Sequence, residues 1–292
     1  MEILKSFPLK TTWFGPLAQS DRTEALAALE RGCVLFFPEL AFRLLPSEQP
    51  LLSPAISNGR AKNISLDPSG RLENAKLSLE EHGLLPAMME RFANSAHALV
   101  CELFPRYAPK LERARTSFRP VEVAGRRSSP TNDDTRLHID AFPARPMHGR
   151  RILRLFSNVH PGGVPRVWNV GEPFPEMAAK FLPLVKEPVA LKAYFLAAIG
   201  ATRGVRSAYD SLMLGLHDAA KLDTDYQERV TKTELQFPPG SSWLCFTDQV
   251  MHAVLSGQFM LEQTFHLDVD AMAEPAHAPI KVLEALSRRR LA

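Results

Sequence analysis

The sequence predicts an α+β fold: helices over the first 115 residues, then a β-rich core of antiparallel sandwich or barrel type over residues 116–270, interrupted by helices at about 180–230. Three observations lead there. Apolar residues recur at helical spacing early in the chain. After residue 115 the text breaks into short β-rich runs between Pro/Gly turns, and the helical period returns once, between the two halves of those runs. The 292 residues are read as one domain closed by a basic helix or tail at 279–292.

The elements follow in order. Ser20-Asp21 before "RTEALAALERG" gives an N-cap, a periodic helix and a stop at Gly32, after which "CVLFFPEL" reads as a strand. A loop, "SNGRAKNISLDPSGRLENA", covers 57–75. Ser78 with Glu81 is a capping box that opens helical sequence running, with a break near Pro86, through "AMMERFANSAHALVCELF". The β-rich runs are 117–125, 135–142, 150–159, 165–171, 231–246 and 251–269. The insertion contains "RSAYDSLMLGLHDAAKLDTDYQERV", helical by period.

Composition narrows the class. A chain 45% apolar and 23% charged is ordinary globular sequence. It has no apolar run of the roughly 18 residues needed to span a membrane, and "MEILKSFPLK" lacks the features of a secretory signal, so a cytoplasmic location is expected. Cys33, Cys101 and Cys245 sit in apolar surroundings with no Cys-x-x-Cys pair, which excludes a zinc or disulfide framework. The net charge of +3 resides in the tail "PIKVLEALSRRRLA", and the remainder balances 31 basic against 31 acidic residues. Nucleic-acid binding is therefore not expected, and no protein partner is inferred.

Chemistry enters with His138-Ile-Asp140. On a strand, residues two apart point to the same face, and a His from a distant strand would complete a two-His-one-carboxylate face of the kind that holds Fe(II) with open positions. The chain has nine His and 32 acids, so such a pair also arises by chance, and His266-Leu-Asp268 is a second. Position separates them. His252 follows a Pro-Gly turn and a strand 114 residues after His138, whereas beyond Asp268 there is only His277, too near to lie on a separate core strand. His138, Asp140 and His252 are the candidate metal-binding and catalytic set.

Such a site needs a co-substrate, and 2-oxoglutarate would require a cation for its far carboxylate, ideally the arginine fork. The strand after His252, "AVLSGQFMLEQTFHLDVDAMA", has neither Arg nor Lys. The strand after the His-x-Asp pair offers Arg154 and, on the opposite face, Arg151; one of the two should face the metal. Signatures of nucleophile elbows, phosphate loops and dinucleotide folds are absent. His217-Asp218 is assigned a structural or substrate-lid role.

These residues lie within long blocks, "SFRPVEVAGRRSSPTNDDTRLHIDAFPARPMHGRRILRLFSNVHP", "RVWNVGEPF", "RSAYDSLMLGLHDAAKLDTDYQ" and "QFPPGSSWLCFTDQVMHAVLSGQFMLEQTFHL", in which the chain resembles the Kdo hydroxylase family, bacterial Fe(II)/2-oxoglutarate dioxygenases that hydroxylate 3-deoxy-D-manno-oct-2-ulosonic acid (Kdo) at C3 in lipopolysaccharide. The resemblance implies a double-stranded β-helix (jelly-roll, cupin-like) core, Fe(II) on His138, Asp140 and His252, 2-oxoglutarate and O2 as co-substrates, and Kdo-lipid A as substrate.

For a substrate carrying a carboxylate and phosphates, Lys62, Arg126, Arg127, Arg136 and Arg166 are candidate contacts. Phe142 and Pro143 are expected to pack at the rim. In the tail, Ile280, Leu283 and Leu286 form a stripe that faces either the protein or a bilayer, and the arginines would meet anionic head groups; peripheral contact with the inner membrane and a basic end that binds nothing are the competing readings. Two functions compete with Kdo hydroxylation: a 2-oxoglutarate oxygenase acting on a protein side chain or metabolite, and a non-catalytic sugar-acid or lipid-A-binding β-barrel module.

Overall fold

A computed structural model describes residues 2–8, 13, 18–78, 81–126, 128–186 and 190–292. Its helices are α1 (Gln19–Glu30), α2 (Glu81–Leu103), α3 (Phe174–Phe181), α4 (Ala190–Ala198), α5 (Ala208–Leu222), α6 (Thr224–Arg229) and α7 (Pro279–Ser287). Its strands are β1 (Leu4–Ser6), β2 (Val34–Phe37), β3 (Ile64–Leu66), β4 (Leu72–Glu73), β5 (Leu111–Arg119), β6 (Arg151–Asn158), β7 (Arg166–Val170), β8 (Thr233–Phe237), β9 (Ser242–Phe246), β10 (His252–Ser256) and β11 (Met260–Leu267). The mixed α+β reading holds, and α3 to α6 occupy the expected interval between β7 and β8.

The strands form an eight-stranded sheet, ordered β1-β2-β9-β6-β11-β5-β3-β4, and a three-stranded sheet, β10-β7-β8. Pairing is antiparallel except between β1 and β2. The sheets share a core. Phe156 and Trp243 of the large sheet pack with Trp168, Phe237 and Val254 of the small one, and Phe237 stacks on Trp243 at 4.0 Å between centroids. On its other face the large sheet buries Leu153, Leu155, Phe246 and Phe265 against Met88, Phe92, Ala96 and Leu99 of α2. Strand alternation explains both faces, since residues 153 and 155 point away from 154 and 156.

Several local expectations need correction. Residues 135–142 are not a regular strand: only His138 forms a β-bridge, to His252. The strand expected at 117–125 lies at Leu111–Arg119 and stops before Pro120, which cannot donate to a ladder. Helix α2 runs unbroken through Pro86, which falls early enough to cost about one backbone bond, and its start has the expected box, with Ser78 N donating to Glu81 Oε2 at 2.7 Å. The mainly helical N-terminal part also supplies four short strands that widen the large sheet.

Candidate metal centre and charged cavity

The β-bridge builds the centre of the site. His138 N donates to His252 O at 3.0 Å and His252 N returns the bond to His138 O at 2.8 Å, while Asp140 N donates to Thr247 O at 2.8 Å. The imidazoles therefore stand side by side, 4.6 Å apart. Each Nδ1 meets a backbone carbonyl at 2.8 Å, Arg136 O for His138 and Val250 O for His252. Those contacts place the proton on Nδ1 and leave both Nε2 atoms as acceptors, the arrangement a metal-binding histidine needs.

One ligand atom from each of His138, Asp140 and His252 comes within 4.8 Å of the other two. Burial lowers the pKa of both histidines against the opposing pull of Asp140 and keeps them neutral. Burial alone would raise Asp140, but the Arg154 guanidinium outweighs it and holds the carboxyl ionised. Asp140 Oδ2 is buried without a hydrogen bond, although Arg154 Nη2 stands 3.2 Å away. A buried carboxylate whose oxygen has an ion-pair neighbour but no hydrogen bond, beside two neutral imidazoles, fits a divalent metal. Trp168 stacks on His252 at 5.1 Å, and His217 of α5 meets His138 edge-on at 5.6 Å.

The two expected arginines diverge. Arg154 points inward from β6, with Nη1 3.3 Å from Glu262 Oε1, its guanidinium over Phe142 at 5.7 Å, and its Nε buried without a partner. Arg151, the alternative, is engaged elsewhere. It is fully buried on the opposite face, where Nε and Nη2 donate to Asp248 at 2.8 and 3.2 Å and Nη2 also reaches Gln249 Oε1 at 2.7 Å.

A cavity of about 350 Å³ opens beside Arg154, lined also by Arg119, Arg115, Arg145, Lys62, Glu262 and His266 among others. Arg119 donates to Glu262 Oε2 at 2.6 Å through Nη2, so two arginines share one glutamate. Burial alone would raise Glu262; Arg154 and Arg119 bring its pKa down. Once a metal takes the charge of Asp140, this cluster keeps an excess positive charge. No residue of the His/Asp/His set lines this charged cavity directly; it reaches the set through Arg154, which pairs with Asp140, whereas a larger, mostly apolar cavity of about 510 Å³ includes Val170, Phe174, Met251 and Val282 and contains no arginine that pairs with the set.

Of the expected substrate contacts, Lys62 lines the charged cavity, with Nζ 2.7 Å from Asp134 Oδ1. Arg136 is turned away, Nη1 donating to Lys221 O at 2.8 Å. Arg126 is half-buried against the carbonyls of Val121 and Glu122. Arg166 is interior, not solvent-facing: its Nη1 donates to Gly257 O at 2.6 Å, its Nε has no partner, and burial pushes it down to about 9. Arg127 lies outside the described residues. Phe142 lines the cavity as expected, whereas Pro143 is exposed.

Sequence reasoning missed Arg115, Arg119, Glu262 and Lys221. Alternation along "RARTSFR" carried part of the signal, but a register shift between Gln263 and Phe265 turns Arg113 out to Glu90 of α2 while Arg115 and Arg119 face the cavity. Lys221 is nearly fully buried on α5, its Nζ 3.1 Å from Thr131 O.

The family model for 3-deoxy-D-manno-oct-2-ulosonic acid (Kdo) hydroxylase matches residues 13–290. The chain belongs to the Kdo hydroxylase family. Solved structures of the Kdo hydroxylase KdoO, a non-haem Fe(II) α-ketoglutarate-dependent dioxygenase, are similar throughout. The complex of that protein with α-ketoglutarate and Fe(III) shares 44% identity and a TM-score of 0.96, over 100% of this chain and 98% of that one. Its apo form shares 45% identity at a TM-score of 0.96, over 99% of this chain and 97% of that one. Its cobalt(II) complex shares 46%, with the same coverage and TM-score. A search of curated protein sequences gives no significant match. As in any Kdo hydroxylase, the chemistry to be explained is oxidation of an acidic sugar.

Proposed function

We propose that this Kdo hydroxylase uses His138, Asp140 and His252 to hold Fe(II), Arg154 to hold 2-oxoglutarate, and the charged cavity to present Kdo of Kdo-lipid A for hydroxylation at C3. The observation that carries the reading is the buried His/Asp/His set beside an arginine-rich cavity, in a chain of this family. Strand order supports a double-stranded β-helix: β9-β6-β11-β5 face β10-β7-β8, and the chain passes between the sheets from β6 to β7, β8 to β9, β9 to β10 and β10 to β11. Residues 1–292 are read as one catalytic unit.

Fe(II) bound with 2-oxoglutarate would supply O2 activation and C–H oxidation, releasing succinate and CO2. The protein supplies geometry. The Arg136 and Val250 carbonyls fix the two imidazoles, and the ion pair with Arg154 fixes Asp140. Arg154, with its unpartnered Nε, would clamp the keto acid's far carboxylate. Trp168, Phe156 and Trp243 form a dry wall behind the site.

The sugar's own carboxylate sits two carbons from C3, so a cation must stand near the iron. Lys221, a buried ammonium on α5 within electrostatic reach of Asp134 and Asp140, is suited to it, with Lys62 further out. Incubation with Kdo-lipid A deuterated at C3 tests the assignment. With both C3 hydrogens replaced by deuterium, a one-oxygen mass gain with loss of one deuterium and retention of the other supports it; retention of both, or oxidation of a peptide or metabolite in place of the sugar, rejects it. Among the described residues no helix is long and apolar enough to cross a membrane.

A further inference from the structure

Helix α4 and the residue after it expose a compact apolar face. Tyr194, Phe195 and Ile199 are 63%, 61% and 59% exposed. Ile199 N donates to Phe195 O at 3.1 Å, so the helical turn continues and Phe195 and Ile199 lie one above the other. Ala193 and Thr202, both buried, tie the segment down from the opposite side. Three large apolar side chains clustered on one turn are unusual on a purely aqueous surface.

The segment that follows this face reaches the rim of the charged cavity. Past α4, Arg203 N donates to Ala144 O at 2.9 Å and Arg206 Nε to Pro143 O at 3.1 Å. Pro143 and Ala144 join Phe142 to Arg145, both of which line the cavity, and exposed Arg203 is within electrostatic reach of Arg145. Apolar tips beside arginines suit an interface where aromatic rings enter the acyl boundary and cations meet phosphate. A cavity of about 350 Å³ holds a sugar and not its lipid. The lipid must stay outside the mouth.

We propose that the Tyr194/Phe195/Ile199 face docks the protein on an anionic lipid surface, holding the cavity mouth against the membrane that carries the substrate. This rests on the lipid-linked substrate reading above. It also moves the membrane contact away from the C-terminal tail: in α7 Ile280 and Leu283 are buried in the main core, Leu291 beyond it is buried too, and of the stripe only Leu286 is exposed.

The test is co-sedimentation of the full chain with phosphatidylethanolamine vesicles with and without phosphatidylglycerol, comparing wild type with Tyr194→Ser/Phe195→Ser. Wild type should bind the anionic vesicles, the double variant on the order of tenfold more weakly, with turnover of a deacylated, water-soluble Kdo glycoside unchanged. Phe195→Trp should show blue-shifted emission only with anionic vesicles. Equal sedimentation of both proteins, no wild-type binding, or a concentration-dependent dimer lost in the double variant without vesicle binding each overturns the proposal. Hydroxylation of the soluble glycoside but not of vesicle-borne Kdo-lipid A would overturn the substrate reading instead, leaving vesicle binding to decide the surface.

Discussion

Arg154 Nη2 stands 3.2 Å from Asp140 Oδ2 on the inner face of β6, while Arg151, three residues earlier, pairs with Asp248 on the outer face. Two arginines on one strand thus have separate roles, and replacing them should have separate consequences. Arg154→Ala should raise KM for 2-oxoglutarate by about 10- to 100-fold, the cost of a charge-assisted pair of about 1.5–3 kcal/mol. Arg151→Met strands a buried Asp248 and should cost about 3–5 kcal/mol of stability, with KM for the keto acid unchanged in whatever remains folded. Steady-state kinetics and thermal melts of the two variants check this.

Lys221 is buried with its ammonium bonded to Thr131 O. Lys221→Met removes a buried charge that no carboxylate among the described residues meets at ion-pair distance, so the melting temperature should hold or rise. KM for the Kdo substrate should rise about tenfold or more, while KM for 2-oxoglutarate stays put. A lower melting temperature with an unchanged sugar KM would return Lys221 to a packing role.

Acid should destabilise the metal-free protein. Burial and nearby Arg150 lower His266 from 6.5 to about 4, and burial lowers His138 and His252 as well. Between about 4 and 6.5 the unfolded chain binds protons at these positions that the folded chain refuses, so stability falls as pH drops through that window and is flat above it. Denaturant melts at pH 7 and 5 should show the loss, and His266→Gln should reduce it.

Much of this was legible in the sequence. His138, Asp140 and His252 could be chosen because spacing and a distant partner single them out, and β6 alternation foretold that only one of Arg151 and Arg154 would face inward. The stretch around Asp140 was misread because its composition is β-like, while its backbone pairs with other backbone segments only through His138, Asp140 and Asp134 and turns Leu137 to the side chain of Gln227. Arg166 reads in sequence as a candidate substrate contact because nothing local reveals that its strand faces a closed interior. Lys221 was hidden by distance: it reaches the site through an insertion whose docking depends on tertiary packing.

The tail was the other ambiguous element, its stripe compatible with protein or bilayer. Tyr209 N donates to Leu291 O at 3.1 Å and Leu291 is buried, so deleting residues 287–292 should lower the melting temperature. Burying one leucine is worth about 1.5–3 kcal/mol. Vesicle binding by the truncated chain should persist; its loss without a change in the melt would restore the tail as the anchor.

The most direct test of the central claim is succinate formation from 2-oxoglutarate with anaerobically added Fe(II), with and without Kdo-lipid A, in wild type and His138→Ala. The account predicts turnover that requires both the sugar lipid and His138. Succinate production indifferent to the sugar lipid, or undiminished in His138→Ala, would contradict it.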